Sequence, residues 1–365
     1  MSGETTADVE IRIEGRVGRI SLNRPRALNA LTHDMEVAID AALLRWADDP
    51  SVAFVMVDGR GERGLCAGGD IRALYDAAKS GGERLAFPFF GDEYRMNAHI
   101  ANYPKPFVAL MDGIVMGGGV GISAHGSHRI VTERTMLAMP EVGIGFVPDV
   151  GGTFLLGRMP GETGIHAALT AHRMTGADAV SCGIADHYVE SRHLPALTAA
   201  LAALVDGADV DDCIAAFATP APDSPLLAER AWIDDCYKAP TAEAIVAALE
   251  AHAEPAAREA AAAIRRMSPT SVKLSLRLVR AARGDAKVET AIDREFRVAV
   301  RCVAAHDFVE GVRAQLVDKD RNPRWQPATL DGVDDETLDA YFAPLGADEL
   351  GLDALEHFPI LSDRM

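Results

Sequence analysis

Two glycine-rich segments, each a short distance beyond an apolar run, constrain the fold of this chain more than any other feature. The segment Cys66–Ile71 reads CAGGDI and follows the apolar run VAFVMV at 52–57, whereas Asp112–Ser123 reads DGIVMGGGVGIS and follows FVALM at 107–111. Short apolar runs of this kind are typical of strands that are buried on both faces. Glycines beside such strands allow sharp turns and leave backbone N–H groups accessible to a ligand.

The N-terminal half of the chain has the pattern of an α/β protein. Apolar residues alternate with polar ones over 9–13 and 20–22, which predicts two strands joined through a turn. Thr32 is placed to cap a helix whose first turn contains two acids, as helix N-termini favour. Strands that alternate with helices predict an α/β fold.

The C-terminal half has a different composition. Alanine-rich stretches at 196–204, 241–252 and 256–264 favour helix, and strand-like runs are absent after about residue 200. We therefore predict two parts, an α/β core over residues 1–200 and a mainly helical portion over residues 201–365.

Two common glycine-loop functions fit these segments poorly. Residues 119–124 match the dinucleotide-binding pattern G-x-G-x-x-A, but the glycines do not directly follow a strand and the next strand-like run, 129–132, begins too soon. Residues 121–125 lack the final glycine of a serine-hydrolase G-x-S-x-G turn. Simple tight turns remain an alternative. The other interpretation is that both loops offer N–H groups to a thioester oxygen on which negative charge develops.

Two acids stand in the otherwise apolar stretch 139–161. Glu141 and Asp149 are eight residues apart among glycines, prolines and aliphatic side chains. Apolar surroundings raise carboxyl pKa values, which suits acid–base or nucleophilic chemistry. Alternatively, Glu141 caps a helix after Pro140 and Asp149 forms a turn with Pro148. The spacing alone does not distinguish these interpretations.

Charge and cysteine content argue against several kinds of partner and site. With 36 basic and 54 acidic side chains, the net charge is −18, which disfavours nucleic acid and anionic membranes. The five cysteines are odd in number and include no C-x-x-C pair, so we expect no disulfide framework and no metal site. Residues 1–8 do not resemble a secretory signal, and no window approaches 18 uninterrupted apolar residues. We expect a soluble, cytoplasmic protein.

Four segments together resemble the crotonase (enoyl-CoA hydratase/isomerase) superfamily in order and spacing. They are NRPRALNAL, CAGGDI, DGIVMGGGVGIS and MPEVGIGFVPDVGGT, within about residues 8–200. The resemblance implies a spiral of ββα turns that binds CoA in a bent form, with the thioester oxygen held by the N–H groups of Gly69 and Gly118. The positions that it implies for the adenine and pantetheine of CoA are Arg26, Ala27, Leu28, Ala67, Asp70 and Ile71.

The pattern of acids is similar to that of one subfamily, the 3-hydroxyisobutyryl-CoA hydrolases. Hydratases carry one catalytic glutamate two residues after the glycine triplet, where this chain has Gly121, and a second one at the position of Glu141. Asp149 stands where hydratases usually have glycine. Glu93 matches the second acid of an E-E-Y element that lines the hydrolase pocket. One departure is Asp112, where these hydrolases commonly have histidine; we interpret it as a tolerated change outside the pocket.

Further similarity to the hydrolases lies in the C-terminal half. The segments MSPTSVKLSLRLVR at 267–280, EFR at 295–297 and DKDRNPRW at the end of 307–325 all match, and the long tail exceeds that of short hydratases.

The resemblance implies hydrolysis of 3-hydroxyisobutyryl-CoA, or a similar short hydroxyacyl-CoA, in valine degradation. Glu141 would attack the carbonyl or direct water, and Asp149 would tune Glu141, bind the substrate or manage a proton. Glu93, Gly118, Glu141 and Asp149 would contact the substrate. No metal or redox cofactor is implied, and CoA is counted as part of the substrate. Whether the protein forms a homo-oligomer is left open. The alternatives are an enoyl-CoA hydratase or isomerase that uses Glu141 alone, and a non-catalytic acyl-CoA-binding protein.

Overall fold

The computed structural model describes residues 5–354 and confirms an α/β fold followed by a helical C-terminal region. The strands lie entirely in the first 188 residues of the chain. They are β1 (Thr5–Thr6), β2 (Val9–Glu14), β3 (Val17–Leu22), β4 (Phe54–Gly59), β5 (Gly64–Cys66), β6 (Phe107–Met111), β7 (Ile114–Met116), β8 (His128–Val131), β9 (Met136–Ala138), β10 (Met174–Thr175) and β11 (His187–Tyr188).

The helices of the N-terminal half are mostly placed between successive pairs of strands. They are α1 (His33–Ala47), α2 (Arg72–Lys79), α3 (Ala86–Ala101), α4 (Gly118–Gly121), α5 (Gly152–Gly157), α6 (Thr163–Thr170), α7 (Gly176–Ser181) and α8 (Leu194–Ala202).

The rest of the described chain is helical or irregular, in agreement with its alanine-rich composition. The helices are α9 (Val210–Ala215), α10 (Pro225–Ala228), α11 (Arg230–Tyr237), α12 (Ala242–Ala251), α13 (Pro255–Ile264), α14 (Pro269–Ala282), α15 (Val288–Val303), α16 (His306–Val312) and α17 (Asp335–Phe342). A π-helical turn, Arg313–Val317, extends α16.

The strands form two sheets with a regular relation to the sequence. The larger sheet has the order β1-β2-β3-β4-β6-β8-β11, with an antiparallel β2–β3 hairpin and parallel pairing from β3 onwards. The smaller sheet has the order β10-β9-β7-β5, in which β5, β7 and β9 are parallel. Each of the pairs β4–β5, β6–β7 and β8–β9 therefore gives one strand to each sheet before the chain turns into helix. This is the predicted spiral of ββα turns.

Local sequence explains why these elements form where they do. Every residue of β6 is buried, as its unbroken apolar run predicts. The Thr32 side chain accepts a hydrogen bond from the Met35 N–H and so caps α1. The predicted strand at 52–57 begins later, at Phe54, because the Val52 N–H is engaged in a turn with the Asp49 carbonyl.

The two halves of the chain share a large hydrophobic core. Its buried side chains come both from the strand-rich half, such as Leu22 and Phe107, and from the C-terminal helices, such as Ile245 and Phe296. The division of the chain at residue 200 remains a prediction.

The smaller sheet determines where a site can form. Its three parallel strands β5, β7 and β9 are neighbours, so their carboxyl ends meet at one edge. The loops that leave this edge are CAGGDI, the glycine triplet and the stretch that carries both acids. Ligands of α/β proteins bind at such edges.

Candidate active site

The two glycine loops face each other across this edge. A Cβ atom placed on Gly118 would lie 3.2 Å from the Gly69 nitrogen. Within residues 5–354, neither the Gly69 nor the Gly118 N–H group donates a backbone or side-chain hydrogen bond. Gly118 is the first residue of α4, where N–H groups have no partner within the helix. Two free donors at one point can stabilise negative charge on a single oxygen.

A cavity of ≈ 920 Å³ opens in front of these donors. Its inner wall consists of the glycine loops, aromatic side chains of α3 and the two acids of the 139–161 stretch. Its outer wall comes from the C-terminal half of the same chain, including Met267, Phe308, Leu316 and Trp325. The helical tail therefore covers the cavity of its own chain.

Glu141 begins a short 3₁₀ helix directly after β9 and is buried, with 6 % of its surface exposed. Its Oε2 atom has no hydrogen-bond partner among the described residues, although the side chain lines the cavity. Its Oε1 atom lies beside Gly117, because a Cβ atom on that glycine would approach it to 2.9 Å. Burial, followed by the nearby charge of Asp149, raises the pKa of the Glu141 carboxyl well above its usual range.

Asp149 lies in the same cavity but is hydrogen bonded. The Tyr94 hydroxyl donates a hydrogen bond of 2.7 Å to its Oδ2 atom. Burial raises the pKa of Asp149 to about 8, and the tyrosine opposes this shift because it stabilises the ionised form. Asp149 and Glu141 thus differ in surroundings, since one carboxyl is held by a donor and the other has an unpaired oxygen.

Two further buried acids, Glu93 and Glu36, interact electrostatically with Asp149. Glu93, on α3, is almost fully buried, and a Cβ atom on Gly118 would lie 2.7 Å from its Oε1 atom. Burial, and then the charges of Glu36, Asp149 and Glu141, raise the pKa of Glu93 well above its usual range. Glu36, on α1, is fully buried, and neither of its oxygens has a hydrogen-bond partner in the described chain.

The turn after Asp149 is held by a side chain from the C-terminal half. Val150 and Gly151 both have positive φ angles, 53° and 77°, and the carboxylate of Glu295 on α15 accepts hydrogen bonds from the N–H groups of Gly151 and Thr153, at 2.7 and 2.9 Å. The half-buried His125 ring contacts the Val150 carbonyl at 2.7 Å. The matching segment EFR therefore contributes the residue that fixes the position of Asp149.

The position that carries a glutamate in hydratases is closed in this protein. A Cβ atom on Gly121 would lie 2.7 Å from the Val150 Cβ atom and 2.8 Å from Asn97 Nδ2. Both contacts are closer than real Cβ atoms show, so no side chain fits without rearrangement.

Only some of the residues expected to bind CoA line the cavity. Ala67 and Ile71 line the cavity, whereas Arg26, Ala27, Leu28 and Asp70 are not among its lining residues. The two segments are nevertheless joined, since the Ala67 N–H donates to the Leu28 carbonyl at 3.0 Å and Asp70 forms an ion pair with Arg24 at 2.9 Å. Their role in binding CoA remains a prediction. Asp112 lies outside the cavity and pairs with Thr132 and Arg134.

Several residues of the site were not identified as site residues from the sequence. Tyr94 stood beside Glu93 in a matched element, but its bond to Asp149 spans 55 positions. Glu36, Asn97 and Glu295 reach the site only through helix packing. Helical periodicity would have placed Glu36 on the buried face of α1, and a buried acid is itself a signal.

A family model and individual known proteins both relate this chain to the same family. A family model described as enoyl-CoA hydratase/isomerase matches residues 17–342. The 3-hydroxyisobutyryl-CoA hydrolase, mitochondrial, of Gallus gallus is 41 % identical over 359 residues, which cover 96 % of this chain and 92 % of that protein. The protein of the same name from Rattus norvegicus is 42 % identical and covers 94 % and 91 %.

Two solved structures are also similar over nearly the whole chain. A carnitinyl-CoA dehydratase from Mycobacterium thermoresistibile is 50 % identical with a TM-score of 0.91, covering 96 % of this chain and 100 % of that one. An enoyl-CoA hydratase from Rhodobacter sphaeroides 2.4.1 is 43 % identical with a TM-score of 0.87, covering 94 % and 99 %.

These relatives correct the expected cellular location. The prediction of a cytoplasmic protein is wrong, because the hydrolases that match this chain are named as mitochondrial. Neither the acidic composition nor the number and spacing of the cysteines distinguishes the cytoplasm from another reducing compartment. Among the described residues, no helix is both long and apolar enough to cross a membrane.

Proposed function

The chain belongs to the enoyl-CoA hydratase/isomerase family, and we propose that it hydrolyses the thioester of 3-hydroxyisobutyryl-CoA to the free acid and CoA, a step of valine degradation. The observation that carries this proposal is the likeness to the vertebrate hydrolases, which extends over more than nine-tenths of both chains. The arrangement of acids and free N–H groups supports the same chemistry.

The thioester carbonyl would lie between the two glycine loops. The N–H groups of Gly69 and Gly118 would donate to its oxygen and stabilise the negative charge that forms when the carbonyl is attacked. Such donors typically contribute on the order of 3 kcal/mol each to transition-state stabilisation. Because they belong to the backbone, substitutions act on them only by blocking the space in front of them.

Glu141 would be the reacting carboxylate. It attacks the carbonyl carbon, giving a mixed anhydride that water opens, or it removes a proton from the attacking water. Both routes break the same C–S bond and release CoA thiolate. The unpaired Oε2 atom of Glu141, whose side chain lines the cavity, supports this role. The raised pKa favours the protonated acid, so the reaction would proceed through the ionised fraction of Glu141, which is a stronger base than an ordinary carboxylate.

Asp149 would act with Glu141 in its ionised form, which becomes the major form above the pKa of about 8. The hydrogen bond from Tyr94 favours the carboxylate form of Asp149, and its charge then raises the proton affinity of Glu141. Glu93 would be protonated, because burial and neighbouring acids raise its pKa. A neutral carboxyl beside Gly118 can donate a hydrogen bond to the 3-hydroxyl of the substrate or a proton to the departing thiolate.

A second candidate comes from the names of the two solved structures, which are a dehydratase and a hydratase. Addition or removal of water across a double bond uses a pair of acids in hydratases, one of them at the position of Gly121. Here that position is filled by contacts with Asn97 and Val150, which weighs against this reaction.

The test compares both reactions in one preparation. We expect free thiol from 3-hydroxyisobutyryl-CoA and no loss of enoyl absorbance from crotonyl-CoA. Loss of enoyl absorbance without thiol release would favour the hydratase, and tight binding of CoA esters without any turnover would favour a non-catalytic binding protein.

A further inference from the structure

The lining of the cavity carries opposite charges in its buried and its exposed parts. The carboxyls of Glu93, Glu141 and Asp149 are buried, whereas the arginines of the lining, Arg173, Arg265, Arg266 and Arg321, are exposed. This concentration of cations is notable in a chain whose net charge is −18. A ligand with a short acyl group at one end and strong negative charge at the other would match the cavity along its length.

Three of the four arginines have no protein partner in the described part of the chain. Arg265 forms an ion pair with Glu250 at 2.7 Å. The guanidinium groups of Arg173, Arg266 and Arg321 make no ion pair and no hydrogen bond among residues 5–354. Arg313, in the same part of the tail, is by contrast engaged, because it pairs with Glu310, Asp318 and Asp320.

The segment DKDRNPRW, residues 318–325, is folded in a way that fixes Arg321 at the cavity. Lys319 and Arg321 have positive φ angles of 59° and 55°, which residues other than glycine rarely adopt. Arg313 holds this bend, because it binds Asp318 and Asp320 at 2.7 Å each. Strained conformations that the surroundings enforce are concentrated at ligand sites.

The same segment is tied directly to Arg266. The indole N–H of Trp325 donates a hydrogen bond of 3.0 Å to the Arg266 carbonyl, and Glu310 accepts a hydrogen bond of 2.8 Å from the Arg324 N–H. The contact with Trp325 uses the backbone of Arg266 and leaves its guanidinium free for a ligand. Residues 318–325 therefore carry Arg321 and also contact the backbone of Arg266, and both arginines line the same cavity.

We propose that Arg266 and Arg321, flanked by Arg173, bind the phosphate groups of CoA, an inference that rests on the proposed function. Guanidinium groups bind phosphate through paired, charge-assisted hydrogen bonds, and these three lack any competing carboxylate. The residues that the family resemblance suggests for CoA include Arg26, which does not line this cavity. The anionic end of the substrate is thus held by the chain's own C-terminal tail.

The experiment uses substrates with and without phosphates. Thiol release is measured with the 3-hydroxyisobutyryl thioesters of CoA and of pantetheine, for the wild type, Arg266→Ala, Arg321→Ala and the double variant. Binding of CoA itself is measured by calorimetry. Arg258→Ala is the control, since it removes an exposed arginine of α13 outside the cavity, with the same change of charge.

We expect each single variant to weaken CoA binding and to raise KM for the CoA ester roughly tenfold, as the loss of a charge-assisted hydrogen bond implies. The pantetheine ester should be hydrolysed at an unchanged kcat/KM by all variants. Added salt should weaken CoA binding to the wild type more than to the double variant.

Equal losses with both esters would overturn the inference, because the arginines would then act through the fold. CoA binding that is insensitive to both substitutions, or that is lost only in Arg26→Ala, would overturn it as well. In those cases the wild type still binds CoA and the proposed function stands, whereas a wild type that does not bind CoA would refute both.

Discussion

The hydroxyl of Tyr94 donates a 2.7 Å hydrogen bond to Asp149, although the two residues stand 55 positions apart and belong to different segments of the spiral. Both side chains are buried, Tyr94 completely. Burial raises the pKa of Asp149, and the tyrosine hydroxyl is the larger of two hydrogen-bond donors that oppose this rise. Loss of the hydroxyl should therefore change the proton affinity of Asp149 and, through its charge, that of Glu141.

Replacement of this tyrosine by phenylalanine should change the pH dependence of thiol release. In Tyr94→Phe, the pKa of Asp149 should rise further above its present value of about 8, since a donor to the charged form is lost. If the ionised form is required, the acidic limb of the rate profile moves to higher pH by roughly one unit. Tyr103→Phe is the matched control, because that hydroxyl binds the Leu43 carbonyl away from the cavity. If the acidic limb of the pH–rate profile of Tyr94→Phe stays where it is in the wild type, this hydrogen bond does not control the ionisation of Asp149.

A methyl group on Gly118 should stop the reaction without unfolding the protein. In Gly118→Ala, the added Cβ atom would lie 2.7 Å from Glu93 Oε1 and 3.2 Å from the Gly69 nitrogen, in the space assigned to the thioester oxygen. We expect kcat to fall by about 10² or more, the usual effect of losing an oxyanion contact. The control, Gly284→Ala, meets its nearest atom only at 3.7 Å and should retain activity. If Gly118→Ala turns over at a near wild-type rate, the thioester carbonyl of the substrate does not bind between Gly69 and Gly118.

Introduction of a glutamate at Gly121 should not create a hydratase. Its Cβ atom would overlap with Val150 and Asn97, so Gly121→Glu should lower the melting temperature and lose thiol release. Hydration of crotonyl-CoA, followed by enoyl absorbance, should stay at background level. A stable variant that hydrates crotonyl-CoA would show that the loop is more adaptable than its packing indicates.

Glu36 should make the protein less stable as the pH rises. Burial, followed by the charges of Asp92 and Asp149, raises its pKa to about 8 from an ordinary value of 4.5. Between these values the folded state retains a proton that the unfolded state has lost, so the free energy of unfolding decreases with pH by up to about 1.4 kcal/mol per unit. Below the ordinary pKa of the side chain both states are protonated, so Glu36 no longer makes the free energy of unfolding depend on pH.

The variant Glu36→Gln removes this titration. It should equal the wild type near pH 4 and be more stable near pH 8 in urea unfolding experiments. Glu259→Gln, an exposed change on α13, serves as the control and should leave the slope unchanged. A variant that is less stable than the wild type at pH 8 would contradict the assignment.

Much of the fold could be predicted because its signals are local. The unbroken apolar run of β6, the Thr32 cap of α1 and the alanine-rich helices α12 and α13 are each visible within about ten residues of sequence. The loops that carry Gly69, Gly118 and Glu141 were found for the same reason, since each is a short glycine- or proline-marked segment after a strand.

The parts that could not be predicted depend on contacts between distant segments. Glu295 reaches the turn after Asp149 across more than 140 positions, and Arg321 reaches the cavity only because Arg313 holds its loop. The closure of Gly121 by Asn97 likewise follows from the packing of α3. No periodicity or spacing in the sequence encodes such distances.

The central claim is that the Glu141 carboxylate cleaves the thioester, and Glu141→Gln tests it most directly. The amide keeps the size of the side chain but can neither attack the carbonyl nor take a proton, so we expect free-thiol release from 3-hydroxyisobutyryl-CoA to fall by at least about a hundredfold. Binding of the CoA ester should stay within a few-fold of the wild type, and Glu259→Gln should be fully active. Hydrolysis by Glu141→Gln at a near wild-type rate would contradict the mechanism.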